Sequence, residues 1–262
     1  MKKIERQEQE MMEYLKIAKR ASLEDAINLL RVSESTVRRL FNRLESDGRA
    51  LRYYGGIQLA VENKMEYSYE QVEARNVEQK MAIADKAVTA VETGDILYLD
   101  SGTTMAHFSM ALARRLERQE LTNLTVFTNS LVNLNILEKY ITINLIGGEY
   151  RMHRKDFCGY IAEETVKSLH FTKCFLGADG YSVQNGCMTT DFYTARLNEI
   201  ALNNAETHIV LIDSSKFFTT TVVSYSKASH IDRIYTDALP SPAVAAKLEK
   251  DGTRLIMPNA PD

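Results

Sequence analysis

The chain has 262 residues, of which 45% are apolar and 26% charged, as in globular proteins with one large domain or two of ordinary size. No segment approaches the roughly 18 to 20 consecutive apolar residues of a membrane span, and MKKIERQEQE lacks the apolar core of a secretory signal. We therefore expect a cytoplasmic protein that does not associate with a membrane. The three cysteines should be reduced, and their spacing fits no zinc or redox motif, so neither a metal nor a cofactor is expected.

The overall charge of -3 is unevenly distributed along the chain. Residues 1–60 contain twelve Lys and Arg against nine Asp and Glu, a net charge of +3, which leaves -6 on the remainder. A mildly basic segment joined to an acidic one indicates an anionic partner for the first segment.

Three helical patterns follow one another in residues 1–60, where Met11, Leu15 and Ala18 mark the first. Ser22 is a good N-cap for the second helix, and Ser33 is one for a third that runs to about Asp47. Apolar residues recur at helical spacing in the second and third helices. They are Leu23, Ala26, Ile27 and Leu30, then Val37, Leu40, Phe41 and Leu44. Two short helices joined by a tight turn form a helix-turn-helix outline.

The outward face of the third helix is polar and basic. Arg can bind guanine through O6 and N7, and Ser and Thr can bind phosphates. Gly48 ends the helix, and residues 49–53, 54–56 and 57–61 read as strand, turn and return strand, the wing of a winged helix. The residues expected to contact double-stranded DNA are Ser33, Ser35, Thr36, Arg38, Arg39, Asn42, Arg43, Arg52 and Tyr53. The alternative is a three-helix packing module whose arginines are merely solvated.

Residues 61–77 are polar and lack Gly and Pro, which indicates a linker with some extended or helical structure between the DNA-binding domain at 1–60 and a domain at 78–262. In the second domain apolar strands alternate with amphipathic helices, which predicts a mostly parallel α/β sheet covered on both faces. The predicted strands are 96–99, 124–127, 141–146, 174–176, 208–212 and 231–235. The predicted helices are 78–91, 104–116, 131–137, 162–169, 191–205 and 243–250.

Small polar residues follow five of these strands, where ligands of parallel sheets bind. Glycine lets a ligand approach the backbone closely, the N-terminus of a helix favours an anion, and Lys216 supplies a positive charge. Among small ligands, a sugar phosphate therefore fits this set of loops best. Asp100 and Asp179 would repel the phosphate, so they should face the sugar or cap a turn. The expected effector-binding residues are Asp100, Ser101, Gly102, Thr103, Thr104, Asn129, Ser130, Gly148, Asp179, Gly180 and Lys216.

Both halves of the chain resemble the DeoR family of sugar-catabolism regulators. The resemblance covers about residues 5 to 238 and rests on motifs in a specific order. They are Ser33-Glu-Ser-Thr-Val-Arg-Arg39, Leu44-Glu-Ser-Asp-Gly48, Arg52-Tyr-Tyr-Gly-Gly56, Asp100-Ser-Gly-Thr-Thr104, Thr128-Asn-Ser130, Gly147-Gly148, Gly177-Ala-Asp-Gly180 and Asp213-Ser-Ser-Lys-Phe217. The chain departs from the family pattern at four positions. Family members have Asp, His, Glu and Lys, respectively, where this chain has Leu40, Tyr54, Thr194 and Asn198.

The resemblance implies a repressor of a carbohydrate-utilisation operon, released from its operator by a phosphorylated sugar or alditol. It also implies a sensor domain related in fold to ribose-5-phosphate isomerase. Because one winged helix contacts little DNA, we expect a homo-oligomer, at least a dimer, held through the sensor domain.

Two alternatives remain open at this point. The first is a sugar-phosphate isomerase with a DNA-binding head and Asp179 as its base. Such isomerases have a glycine-rich loop with a catalytic lysine, however, and no such loop follows Gly180. We therefore assign no catalytic residue. The second is an architectural nucleic-acid-binding protein without a ligand.

Overall fold

A computed structural model describes residues 3–18, 20–46, 50–53, 56–59 and 67–259 of the chain. These residues form two compact units, Met1–Tyr67 and Ser68–Asp262. Among the helices in the described ranges, none is long and apolar enough to span a membrane.

The smaller unit is a helix-turn-helix with a short antiparallel sheet. Its elements are α1 (Lys3–Ala18), β1 (Arg20–Ser22), α2 (Leu23–Leu30), α3 (Glu34–Ser46), β2 (Ala50–Tyr53) and β3 (Gly56–Leu59). The strands pair in the order β1-β3-β2. Ser22 caps α2 as predicted, since its Oγ accepts the Asp25 N–H at 3.0 Å while the Asp25 carboxylate accepts the Ser22 N–H at 2.9 Å. Arg31 then takes a left-handed conformation with φ 51°, which ends α2 and forms the turn to α3.

The apolar stripes of the three helices meet in one core, which confirms the helical periodicity. Its buried members include Met11, Leu15, Ala26, Leu30, Val37, Leu40, Phe41, Leu44 and Ile57. Leu40, which departs from the family pattern, packs in this core and not on the outer face of α3. The strand-turn-strand prediction is confirmed for β2 and β3. Gly48, Arg49, Tyr54, Gly55 and Val61 lie outside the described residues.

The larger unit contains the remaining elements in chain order. They are α4 (Tyr69–Glu73), α5 (Val77–Ala87), β4 (Ile96–Leu99), α6 (Thr103–Glu117), β5 (Thr125–Thr128), α7 (Leu131–Leu137), β6 (Ile143–Leu145), β7 (Glu149–Arg151), β8 (Asp156–Cys158), α8 (Tyr160–Lys167), β9 (Phe171–Gly177), β10 (Gly180–Ser182), β11 (Gly186–Thr189), α9 (Phe192–Asn203), β12 (Ala205–Leu211), β13 (Val223–Ser226), β14 (Arg233–Tyr235), α10 (Pro242–Lys250) and β15 (Arg254–Ile256). Short 3-10 helices cover Val88–Ala90, Ser214–Phe218 and Ala228–His230.

Seven parallel strands form the central sheet in the order β15-β14-β12-β9-β4-β5-β6, which confirms the predicted α/β class. Side chains alternate across the sheet. Leu97 and Leu99 pack with α5 and α6, whereas Tyr98 packs with α8 and α9 on the other face. Because the strands are parallel, their carboxyl ends share one edge, and the loops that follow them lie together there.

Three features of the larger unit did not emerge from the periodicity. The strands β10, β11 and β13 form a separate antiparallel sheet, β7 and β8 form a hairpin, and β15 extends the edge of the central sheet. All have only three or four residues, too few for an alternating pattern to stand out. Ala205, predicted to end a helix, instead begins β12.

Residues 68–77, within the predicted linker, include the helix α4 and belong to the compact unit that starts at Ser68. Tyr69 on α4 is buried, and its N–H donates to the His153 carbonyl at 3.0 Å. Lys155 Nζ lies 5.0 Å from the centre of the Tyr69 ring. These contacts join residues more than eighty positions apart, so the local composition of the segment did not reveal them.

Candidate functional site

The outward face of α3 carries the residues predicted to contact DNA. Ser33, Ser35, Arg38, Arg39, Asn42 and Arg43 are exposed, and Thr36 is half-buried. The Ser33 hydroxyl lies 3.1 Å from that of Ser35 and 3.0 Å from that of Thr36, so three hydroxyls cluster at the start of the helix.

The arginines on this face differ in their partners. Arg38 Nε donates to Glu34 Oε1 at 2.8 Å, and Arg43 Nη1 donates to Glu8 Oε1 at 3.2 Å. For Arg39 no ion pair or hydrogen bond of the guanidinium is found within the described residues. Exposed ion pairs such as Arg38–Glu34 contribute little to the stability of the folded chain, so the arginine can exchange its carboxylate partner for a DNA phosphate. Arg52 and Tyr53 lie on β2 of the wing, but their side chains are outside the described set.

At the carboxyl edge of the large sheet, β4 leads into the uncapped start of α6. Gly102 occupies the N-cap position and makes no side-chain cap, and a Cβ built on it would meet nothing within 4 Å. The first helical hydrogen bond runs from the Ala106 N–H to the Gly102 carbonyl. The preceding amides, including those of Thr103 and Thr104, point along the helix axis and attract an anion.

Two lysines belong to segments that a hydrogen bond between Asn76 and Asp213 joins at this edge, and one of them, Lys80, was not among the predicted residues. Lys80 on α5 is 3% exposed and donates from Nζ to the Val72 carbonyl at 2.6 Å. Burial lowers the pKa of Lys80 to about 8, the Asp213 carboxylate opposes that shift, and the positive charge of Lys216 adds to it. Lys80 shares a helical stripe with Ile83, Ala84 and Ala87, and a lysine on an apolar stripe was the signal available in the sequence.

The loop that carries Lys216 is held by the start of α5. Asn76 Nδ2 donates to Asp213 Oδ1 at 3.0 Å, and this carboxylate also accepts the Ser215 N–H at 3.1 Å. His107, in the second turn of α6, has its pKa lowered by burial and by the charge of Lys80. An uncapped helix start and two cations therefore lie at one edge of the sheet.

The two carboxylates predicted to face a sugar or cap a turn are both bound by protein groups. Asp100 is buried, which raises its pKa, and it accepts the N–H groups of Ser101 at 2.7 Å and Gly177 at 3.0 Å. Asp179 Oδ2 accepts the Thr190 N–H at 2.9 Å and the Thr189 hydroxyl at 3.0 Å. Both side chains join adjacent loops.

Asn129, Ser130 and two glycines also have structural roles. Asn129 Nδ2 donates to the Phe157 carbonyl at 3.0 Å, and Ser130 Oγ caps α7 by accepting the Asn133 N–H at 3.2 Å. A Cβ on Gly148, where φ is +148°, would lie 2.4 Å from the Cys158 carbonyl oxygen. One on Gly180 would lie 2.2 Å from the Thr219 carbonyl oxygen, so close backbone packing explains both glycines.

A buried ionic network adjoins the Asp100 loop, and it was missed in the sequence. Asp156 is fully buried and accepts from Arg151 through Nε at 2.8 Å and Nη2 at 2.7 Å, and from the Ser101 hydroxyl at 2.9 Å. Arg151 Nη1 also donates to Asp191, the N-cap of α9, at 2.8 Å. This network connects the Asp100 loop with the β7–β8 hairpin and the start of α9.

Two buried asparagines complete the surroundings of Asp100. Asn133 Nδ2 donates to the Asp100 carbonyl at 2.8 Å, and Asn198 Nδ2 lies 3.4 Å from Asp100 Oδ2. The Oδ1 atoms of both are buried without a hydrogen-bond partner in the described part of the chain. Asn198 thus places a neutral amide beside a buried carboxylate.

Other reactive groups are inert or scattered. Burial raises the pKa of Cys174 and that of Cys187 to about 12, so both are thiols near neutral pH. Within the described ranges, no three His, Cys, Asp or Glu residues are grouped so that they could hold a metal ion.

Profiles of known protein families match two segments of the chain. A family profile described as the DeoR-like helix-turn-helix domain matches residues 6–63, and one described as the DeoR C terminal sensor domain matches residues 75–238. The lactose phosphotransferase system repressor of Lactococcus lactis subsp. lactis is 32% identical, over 89% of this chain and 91% of its own. A putative aga operon transcriptional repressor of Escherichia coli O157:H7 is 30% identical, over 97% of this chain and 93% of its own.

Among solved structures, ribose 5-phosphate isomerase A of Methanocaldococcus jannaschii is similar to 54% of the chain, and the match spans 54% of the isomerase. The TM-score is 0.41 and the identity 22%.

Proposed function

The chain belongs to the DeoR family of transcriptional regulators, and from that premise we propose that it represses a carbohydrate-utilisation operon until a phosphorylated sugar or alditol releases it. It is a regulator and not an enzyme, because its relatives are named repressors and it carries their DNA-binding domain. It acts in the cytoplasm as a homo-oligomer, because one winged helix covers too little DNA for a specific operator.

The proposed DNA-reading surface is the exposed face of α3. Arg38, Arg39, Asn42 and Arg43 reach base edges or phosphates, and the hydroxyls of Ser33, Ser35 and Thr36 bind the backbone near the start of the helix. Arg52 and Tyr53 contact the DNA from the wing. The burial of the opposite face of α3 in the core supports this orientation.

The observation that carries the effector proposal is the uncapped start of α6, at the sheet edge where a hydrogen bond joins the segments that carry Lys80 and Lys216. The amides following Gly102 and the charges of Lys80 and Lys216 would bind the phosphate. Thr103 and Thr104 would add hydroxyl donors. Seven further residues would shape the sugar end of the site by fixing the loops, as their hydrogen bonds and close contacts support. They are Asp100, Ser101, Asn129, Ser130, Gly148, Asp179 and Gly180.

The test is an operator titration of the Lys216→Met variant with and without the effector. A panel of sugar and alditol phosphates is first screened for thermal stabilisation of the unaltered chain. Met retains the apolar stem of Lys216 and removes its charge. We expect normal operator affinity with loss of release, because the coupling between effector and operator, typically ~1 to 3 kcal/mol, disappears.

The matched control is Lys139→Met, which removes an exposed lysine just after α7. Release at the same effector concentration in the Lys216 variant and the control would reject the placement of the phosphate. Absence of stabilisation by every compound would favour the architectural alternative.

A further inference from the structure

Six large apolar side chains lie exposed near the carboxyl edge of the large sheet. They belong to the β7–β8 hairpin and the first turns of α8 and α9, and each is between 44% and 76% exposed. These residues, which we call the apolar patch, are Tyr150, Met152, Tyr160, Ile161, Phe192 and Tyr193.

Ion pairs hold the three parts of the apolar patch beside one another. Arg151 lies between Tyr150 and Met152 in the chain and donates to Asp191, which directly precedes Phe192. Arg196 Nε on α9 lies 3.7 Å from Glu163 Oε2 on α8, one turn beyond the apolar side chains of each helix. The hairpin and the two helix starts therefore lie next to one another.

The size of the apolar patch matches what a stable interface needs. At about 150 to 250 Å² for each fully exposed aromatic side chain, the exposed fractions amount to on the order of 700 Å². Apolar patches on monomers seldom exceed about 600 Å², and a standard interface buries about 800 Å² on each partner. Aromatic residues and Met are also the types enriched in interfaces.

We propose that the apolar patch is the surface on which a second copy of the chain docks to form the oligomer. This inference rests on the proposed function, since a repressor that reads repeated half-sites always has another copy of itself as a partner. The charges around the patch favour the same occupant. Glu163 and Glu164 on α8 lie beside Arg196 and Lys167, so two facing copies can pair opposite charges.

The experiment is sedimentation equilibrium of the full chain and of the double variant Tyr160→Ser, Phe192→Ser. We expect self-association to weaken by at least about a hundredfold, because two central aromatic contacts are lost. The control is Val222→Ser, Leu239→Ser, which removes two exposed apolar side chains outside the patch and should associate as the unaltered chain does. Equal self-association of the patch variant and the control would overturn the proposal.

Hydrogen exchange of the unaltered chain tests the proposal without a variant that could misfold. Raising the concentration from nanomolar to tens of micromolar should protect residues 149–163 and 190–196. Unchanged exchange there, or a monomer at tens of micromolar, would overturn the proposal. If the chain is a monomer that a sugar phosphate still releases from operator DNA, the apolar patch is refuted as an interface and the proposed function stands. If the chain is an oligomer that uses the apolar patch but binds no operator, the proposed function is refuted and the interface stands.

Discussion

At the scale of single residues, the larger unit contains buried charged groups whose partners differ. Asp156 is fully buried and has Arg151 and the Ser101 hydroxyl as partners, because an isolated buried carboxylate would be costly. Lys80 is also buried, but its ammonium group is bound only by the Val72 and Glu73 carbonyls among the described residues. A buried cation without a direct carboxylate partner there is suited to receive an anion.

The lowered pKa of Lys80 predicts a pH dependence of effector binding. A phosphate is fully ionised above its second pKa of about 6, so from pH 7 upward the lysine dominates the change. Effector affinity should be steady to about pH 8, the pKa of Lys80, and then fall by up to about tenfold per pH unit as the lysine loses its proton. Calorimetric titrations between pH 7 and 9.5 measure this decline.

The free energy of unfolding of the effector-free chain should respond in the opposite direction. The pKa of Lys80 is about 8 in the folded chain, whereas an unperturbed lysine has a pKa of 10.5, so the unfolded chain binds more protons between these values. The contribution of Lys80 to stability therefore rises with pH across this window and is lost as pH falls through 8. The Lys80→Met variant should remove both slopes, and an effector affinity that is independent of pH in the unaltered chain would contradict a phosphate contact by Lys80.

At the scale of secondary-structure elements, α3 and α6 have different surroundings that suit different ligands. The helix α3 buries Val37, Phe41 and Leu44 and leaves its basic side in solvent, available to a large surface such as DNA. The helix α6 is mostly buried, and its first amides lie at the carboxyl edge of the sheet, where they favour an anion.

The exposed side of α3 predicts a steep salt dependence of operator binding. Each arginine that neutralises a phosphate releases counterions, so affinity falls as the salt concentration rises. Changing Arg38 or Arg39 to Ala should cost about 1 to 3 kcal/mol if the side chain reads a base edge. Fluorescence anisotropy with operator DNA measures the loss, and Arg118→Ala, an exposed change in the larger unit, is the control. Unaltered operator affinity in the Arg38→Ala, Arg39→Ala double variant would exclude α3 as the reading element.

At the scale of the whole molecule, the chain consists of two units with separate hydrophobic cores. The smaller core gathers three helices and Ile57 of β3, whereas the larger unit has one core on each face of its sheet. Each unit can therefore respond to its own ligand in an unfolding experiment.

We predict that effector and operator stabilise different thermal transitions. A sugar phosphate at a hundredfold excess over its dissociation constant should stabilise the larger unit by about 2.7 kcal/mol, and operator DNA should stabilise the smaller unit. Scanning calorimetry with each ligand separately measures both transitions. Inorganic sulfate, which lacks the sugar, is the control ligand. An equal shift of both transitions by the effector alone would contradict separate binding units.

Local features of the sequence determined the elements and their order. The stripe Val37, Leu40, Phe41 and Leu44 predicted α3 and its buried side, and the Ser22 N-cap predicted the start of α2. Alternating strands and helices predicted the parallel sheet and placed the loop after β4 at its carboxyl edge. These features depend on neighbours within about one or two turns, which a sequence displays directly.

Tertiary structure decided which polar residues meet. Asn76 reaches Asp213 across 137 positions, and Asn198 approaches Asp100 across 98. The burial of Lys80, the pairing of Arg151 with Asp156 and the exposure of the apolar patch likewise depend on how distant segments pack. Periodicity shows which side of an element is apolar. The partner of a buried charge, however, comes from whichever distant segment packs against it, because a charged group that has lost its water needs a hydrogen bond or an opposite charge there.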